Sequence, residues 1–280
     1  MAKELSVPGQ EKSLVEMPEH VRKLIDPENT SVMPEGMEFI DPYDQPLYAK
    51  IVQSLSGEPY KPPYQDGDYI VTPDNRKVIS MGESFHFTPV FAFTEYICRN
   101  PVLEIPGLEF IEAKTRDPES DIAKRALSRD ENVNKIRHPQ SPEGKDCFQE
   151  YLKVACYVIF LHDHNEEIGN VPIIHSFMKG EAKYGEAFKR LIKARKTPAL
   201  YSCRFQATTS LHTGKGSKKW FGTDIINPED NQPYVTADEL EVYRELYLQC
   251  KKAFEDEGLN VNYDQDMDTV DGSVVTDEKF

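Results

Sequence analysis

What the sequence lacks narrows its function first. No window approaches the roughly 18–20 consecutive apolar residues that a membrane span needs, and the opening "MAKELSVPGQEKSLVEM" has no apolar stretch of the kind a secretory signal carries. The expectation is a cytoplasmic protein with no membrane partner. The five cysteines, Cys98, Cys147, Cys156, Cys203 and Cys250, are odd in number and never spaced C-x-x-C. Buried free thiols fit that pattern better than a disulfide framework or a metal site. Also missing are the nucleophile elbow G-x-S-x-G, the zinc helix H-E-x-x-H and the dinucleotide fingerprint G-x-G-x-x-G. The expectation is a non-enzyme with no catalytic residue, no cofactor and no metal.

Net positive charge is missing too, and the total of −15 argues against a nucleic-acid partner until its distribution is read. Between Val171 and Asp224 eleven Lys/Arg face three acidic residues, whereas Glu229 to Phe280 holds fifteen acidic and four basic residues. A basic centre followed by an acidic end is a polarised molecule, and its sum carries little information.

Along the chain, residues 1–66 are rich in proline and charge and read as an arm over the surface, with "QPLYAKIVQSL" as one short helix. The core is expected over residues 67–228. It begins with a hairpin, "DYIVT", "PDNRK", "VISM", followed by "ESFHFTPVFAFTEYIC", where Phe85, Phe87, Phe91 and Phe93 share one parity. That face is either core or a base-stacking platform. Residues 115–148 are polar and read as an insertion. "YLKVACYVIFLH" and "VPIIHSF" are strands about the turn "DHNEEIGN". "EAKYGEAFKRLIKARK" has helical spacing, with Tyr184, Phe188, Leu191 and Ile192 on one stripe and Lys189, Arg190 and Lys193 away from it. "ALYSCRFQATTSLH" alternates with a period of two and places Arg204 and Gln206 opposite the core parity. A helix over 229–257 is expected to pack through Leu240, Tyr243, Leu246, Tyr247 and Cys250, and residues 258–280 form an acidic tail.

The run Gly214-Lys215-Gly216-Ser217 does not have the spacing G-x-x-x-x-G-K-[ST], and the "KKWFGTDII" after it has strand composition, so it is no P-loop. It reads as the tip of a β-hairpin with Lys215, Lys218 and Lys219 at its rim. The alternatives are a cationic finger on a nucleic-acid strand and a solvated lysine-rich turn. Trp220, the one tryptophan, falls on the parity opposite the core beside Lys218, with Lys153 and Tyr157 on the corresponding face of the strand from Tyr151. An indole among cations is what stacking of unpaired bases requires, at roughly 1–3 kcal/mol per base. The alternative is that Trp220 and Tyr157 pack beneath the arm or the insertion.

These elements suggest a β-rich α+β fold: an OB-fold-like five-stranded Greek-key barrel with an N-terminal arm, an internal insertion, and a C-terminal helix plus acidic tail. The stretch from Tyr151 to Asn227, with "VPIIHSFMKGEAKYGEAFKRLIKARKTPALYSCRFQATTS" and "KKWFGTDI", resembles the barrel half of phage-encoded single-stranded DNA-binding proteins. The resemblance implies sequence-independent binding of single-stranded DNA in replication, recombination or repair. It also implies that an acidic tail ending on an aromatic, here Asp277, Glu278 and Phe280, recruits replication or recombination proteins. This tail departs from the pattern in Lys279 and in Val274 and Val275, and a merely solubilising tail is the alternative.

Two other classes stay in view. In "FLHDHNEEIG", His162, Asp163, His164, Glu166 and Glu167 lie together at a strand end, a pattern that suits a divalent metal and hence a metal-dependent nuclease. A polar hairpin turn is the favoured reading of the same residues. An acidic interaction protein that mimics DNA to occupy a host factor would use the flanking negative charge and leave the basic centre unexplained.

Overall fold

The computed structural model describes residues 18–22, 47–54, 56, 63–72, 75–102, 104–162, 171–214, 218–255 and 261. The tail residues Asp277, Glu278 and Phe280, the tip residue Lys215, and Asp163, His164, Glu166 and Glu167 of the polar turn lie outside them.

The fold is β-rich α+β. In chain order come α1 (Glu19–Arg22), β1 (Leu47–Ile51), β2 (Tyr69–Thr72), β3 (Arg76–Ile79), β4 (Ser84–Arg99), β5 (Ile111–Thr115), α2 (Asp121–Leu127), α3 (Glu131–Asn134), β6 (Lys135–Arg137), β7 (Phe148–Leu161), β8 (Ile173–Phe177), α4 (Ala182–Ala194), β9 (Phe205–Thr213), β10 (Lys219–Ile226) and α5 (Ala237–Glu255), with short 3-10 turns at Lys179–Glu181 and Leu200–Ser202. The strands form one ten-stranded mixed sheet in the order β10-β9-β4-β7-β8-β1-β2-β3, with β5 beside β4 and β6 beside β7. Only β1 with β8 is parallel among the described pairs. The five-stranded Greek-key barrel expected from the sequence is not confirmed, because the ladder is longer and does not close.

Two long strands organise the sheet. β7 lies along β4 from Phe87 to Arg99, while the other edge of β7 is shared by β6 and β8. Both faces are buried. One face packs Phe85, Phe87, Tyr157, Ile159 and Phe205 against Phe188 and Ile192 of α4. The other packs Phe91, Phe93, Val154, Cys156 and Val158 against Leu240, Tyr247 and Cys250 of α5, with Tyr243 and Leu246 alongside. The two amphipathic helices thus cover opposite faces through the stripes that their 3.6-residue period defines.

The expected single face for Phe85, Phe87, Phe91 and Phe93 is corrected by a bulge. Pro89 pairs with Ile159 and Phe91 with Val158, so Val90 is an extra residue and the alternation inverts after it. Phe85 and Phe87 therefore lie in one core and Phe91 and Phe93 in the other. Proline has no N–H to give to a ladder and is tolerated at such a bulge.

The expected helix at "QPLYAKIVQSL" is a strand instead. Leu47–Ile51 sits between β2 and β8, and Leu47 and Tyr48 feed opposite cores. Pairing on both edges overrides a local preference here. Beyond β1 the sheet curls until Gln53 meets β10. Its Nε2 donates to the Phe221 carbonyl at 2.8 Å, and its Oε1 accepts from the Phe221 N–H at 2.9 Å. A side-chain amide thus supplies one pair of ladder bonds on the edge of β10, which both tethers the curl and blunts an edge open to foreign strands. The insertion is ordered as well, since it contributes α2, α3 and β6, the last paired with β7.

Candidate functional site

A cleft of about 760 Å³ opens between the end of β1, the 3-10 turn after β8, the junction of α3 and β6, and the β9–β10 hairpin. Five lysines line it: Lys50, Lys135, Lys179, Lys183 and Lys218. Two carboxylates, Glu131 and Glu181, and the rings of His175, Trp220 and Phe221 complete the wall. The volume is within the range of roughly 300–1,000 Å³ typical of ligand sites.

The lysines arrive on five separate segments, β1, β6, the 3-10 turn, α4 and the β9–β10 hairpin. Lys50 is carried on β1 and is 3% exposed. Lys135 begins β6, and Lys179 opens the 3-10 turn with φ of 47°. Both reach Glu150 on β7, Lys135 at 3.2 Å and Lys179 at 2.7 Å, and Arg99 Nη2 donates to the same carboxylate at 2.6 Å. Burial pushes the Glu150 carboxyl up, but Lys179, Arg99 and Lys135 outweigh it and hold it down at about 2. Three cations around one carboxylate make this end of the cleft electropositive. A depressed folded value means that the carboxylate contributes stability above its ordinary 4.5 and loses it as pH falls toward about 2. Urea midpoints measured across that window should therefore fall steadily for the native chain. Glu150→Gln should start less stable and show a flatter pH dependence.

At the other end, the Trp220 indole packs against the Cα atoms of Gly180 and Gly214, where an added Cβ would come within 3.0 Å and 2.8 Å of ring carbons. Its N–H donates to Glu181 Oε1 at 2.5 Å, and Lys183 Nζ stands 5.4 Å from the ring. Glu181 Oε2 also accepts from the Thr223 N–H at 3.1 Å, so one carboxylate ties the turn before α4 to β10. Between the two ends His175 is buried beside Tyr69, with Nδ1 2.9 Å from the Tyr69 hydroxyl. Burial pushes it down to about 4, which leaves a neutral ring at neutral pH.

The residues read from sequence divide sharply. Lys218 and Trp220 line the cleft. Trp220 is half-buried and not the open indole expected. Lys219 is half-buried at the start of β10, opposite Thr213, and is not among the cleft lining. Lys153, Lys189, Arg190 and Lys193 lie apart from it, Lys153 pairing with Glu186 at 3.1 Å and Arg190 Nε donating to the Glu186 carbonyl. Arg204 is engaged by Asp230 at 2.5 Å. Gln206 is 7% exposed, and its Oε1 accepts from the Glu229 N–H. Tyr157 is a correction: it is 3% exposed, with its ring 4.8 Å from that of Phe188 and edge-on to Phe177, because both faces of β7 are core at that point.

Sequence reasoning missed Lys50, Lys135, Lys179 and Lys183 as site residues. Lys179 and Lys183 flank the start of a helix and had a local signal in "MKGEAK". Lys50 and Lys135 had none, since only the long-range pairing of β1 and β6 brings them here. Of the proposed metal cluster, His162 is described. Its Nε2 lies 2.7 Å from the Thr88 hydroxyl and its Nδ1 3.4 Å from Glu239. Among the described residues no three His, Cys, Asp or Glu side chains converge as metal ligands. No helix among them is long and apolar enough to cross a membrane.

Compared with family models, curated proteins and solved structures, the chain matches none.

Proposed function

We propose that the protein binds single-stranded DNA without sequence selectivity, in the lysine-lined cleft. One observation carries this reading: five lysines and an indole share a single concave site. Lysines that neutralise phosphates release condensed counterions, which makes binding tight at low salt and steeply salt-dependent. An aromatic wall accepts the face of any base, so it adds affinity without reading sequence. An unpaired strand can turn a base out to that wall without breaking a base pair, which favours single strands over duplex.

The fold that accompanies this function is read as an OB-type barrel elaborated at its edges. Supporting it is the curl that brings Gln53 onto the backbone of β10. The acidic residues around Phe280 would recruit replication or recombination proteins, as the sequence resemblance implies. Five buried cysteines without a disulfide suit a reducing cytoplasm.

Fluorescence anisotropy with labelled oligo-dT, a mixed-sequence single strand and the matching duplex tests the reading. Both single strands should bind alike, more tightly than duplex, with steep salt dependence and indifference to EDTA. Trp220→Ala should weaken binding by about one stacked base, roughly 1–3 kcal/mol. Failure of the full chain and of a chain ending at Gly258 to bind any strand at low salt would remove the proposal. EDTA-sensitive cleavage of the strand would replace it with a nuclease.

A further inference from the structure

The wall of the cleft that Trp220 forms is held from behind by a histidine between two carboxylates. His212 lies directly opposite Trp220 on β9. Its Nδ1 is 3.0 Å from Glu181 Oε1, the oxygen that accepts the indole N–H. Its Nε2 is 3.3 Å from Asp224 Oδ1, within ion-pair distance though off the geometry of a straight hydrogen bond. Asp224 is in turn held by the Ser210 hydroxyl. The ring stacks on Tyr184 at 3.8 Å and meets Trp220 edge-on at 5.8 Å. Gly222 makes the cluster possible, since a Cβ there would stand 2.3 Å from both Glu181 Oε1 and His212 Nδ1.

An imidazole carries a hydrogen on both nitrogens only as the cation. With a carboxylate facing each nitrogen, the neutral ring can serve one of them and must turn a lone pair toward the other. We infer that His212, in its protonated form, is the positioning residue that fixes Glu181 and thereby Trp220 in the cleft wall, and that loss of the proton loosens that wall. The consequence for strand binding rests on the function proposed above. The charged and titratable groups facing the ring are Glu181 from the 3-10 turn, Asp224 from β10, and Tyr184 with Lys183 from α4, the last reaching it over the Tyr184 and Trp220 rings. Burial pushes His212 down, but Glu181 first and then Asp224 outweigh it, so it is raised above the ordinary 6.5. A raised folded value means that the stabilisation is fully present below 6.5 and is lost as pH rises through the folded value.

Because Trp220 is the one tryptophan in the chain, its selectively excited emission in the DNA-free full chain reads this contact without background. Between about pH 5.5 and about pH 9 the emission should pass through a single proton step centred above 6.5. His212→Gln should abolish the step. Glu181→Gln, which keeps an acceptor for the indole but removes the charge, should move its midpoint lower. In a parallel titration, oligo-dT affinity should fall about fivefold across the same window, the lower range of one stacked base, and His212→Gln should lack that fall. A flat native profile, an unchanged step in His212→Gln, or an unmoved midpoint in Glu181→Gln would overturn the inference. A step in emission with no oligonucleotide bound at any pH would uphold the positioning role and refute the DNA reading. Strand affinity that stays constant while the emission titrates would overturn the gating.

Discussion

Phe188→Ala is expected to cost about 3–5 kcal/mol of folding stability, the usual range for deleting a fully buried aromatic ring. Phe188 is 2% exposed and, with Ile192, carries the docking of α4 onto the sheet. Its ring lies 5.9 Å from Phe87 on β4, 4.8 Å from Tyr157 on β7, 6.4 Å from Phe177 on β8 and 4.9 Å from Phe205 on β9. Four strands thus meet at one residue, and aromatic pairs in tilted or edge-on geometry add to the area they bury. The void left by alanine cannot be filled by one neighbour moving, because each neighbour is fixed in its own strand. Phe188→Leu, which keeps most of the volume, should lose considerably less. Urea denaturation of the three proteins decides the point. A loss below about 1 kcal/mol, the scale of an ordinary mild substitution, would mean that α4 is not docked as described.

The cleft should report the same substitution. Lys179, Glu181 and Lys183 sit at the N-terminal end of α4 or in the turn just before it, and that end is held by Glu150 and by the contacts of Glu181 with β10. Weakening the docking of α4 therefore loosens one wall of the site while leaving Lys50 and Lys135 on their strands and Lys218 in the β9–β10 hairpin.

How much of this was legible follows from the range of the interactions. The β2–β3 hairpin, β7, β8, β10 and the helices α4 and α5 form where local period and turn chemistry place them, although the outward faces read for β7 and β10 are covered at Tyr157 and partly at Trp220. β9 departs from the alternation at Gln206, which is buried, and again at its far end, where Leu211 is 49% exposed and His212 is buried. The reason is tertiary: the hairpin tip runs beyond the core, and Tyr184 and Glu181 cover its other face. The bulge at Val90 and the strand at Leu47–Ile51 were hidden for the same reason, since each is specified by a partner strand far away in sequence, β7 for the bulge and β8 for β1. The site was the least legible part. Lys218 and Trp220 came from one readable hairpin, whereas Lys50 and Lys135 become neighbours of that hairpin only when the sheet curls.

The cleft and the outer face of α4 make opposite predictions for two triple variants, and this is the largest effect expected on binding. Removing Lys135, Lys183 and Lys218 together by alanine should lower the slope of log K against log salt by about 2, from about 0.7 per phosphate contact on a single strand. If the two proteins bind alike near 1 M salt, where the ionic contribution vanishes, that change of slope amounts to a loss on the order of 100-fold at 0.1 M. Alanine at Lys189, Arg190 and Lys193 should leave the slope close to the native value. Those side chains belong to a face where Glu186 already serves as counter-ion: the Lys153 ammonium first, then Lys189 and Arg190, hold its carboxyl below the usual range. In the cleft one Glu150 carboxylate is likewise set against Arg99, Lys135 and Lys179, and what sets the cleft apart is that its lysines share a concave site with the Trp220 indole. The two variants alter no residue in common, so their salt slopes can be compared directly. A native slope in the cleft variant together with a reduced one in the α4 variant would move the strand to the outer face of that helix and leave Trp220 a structural residue.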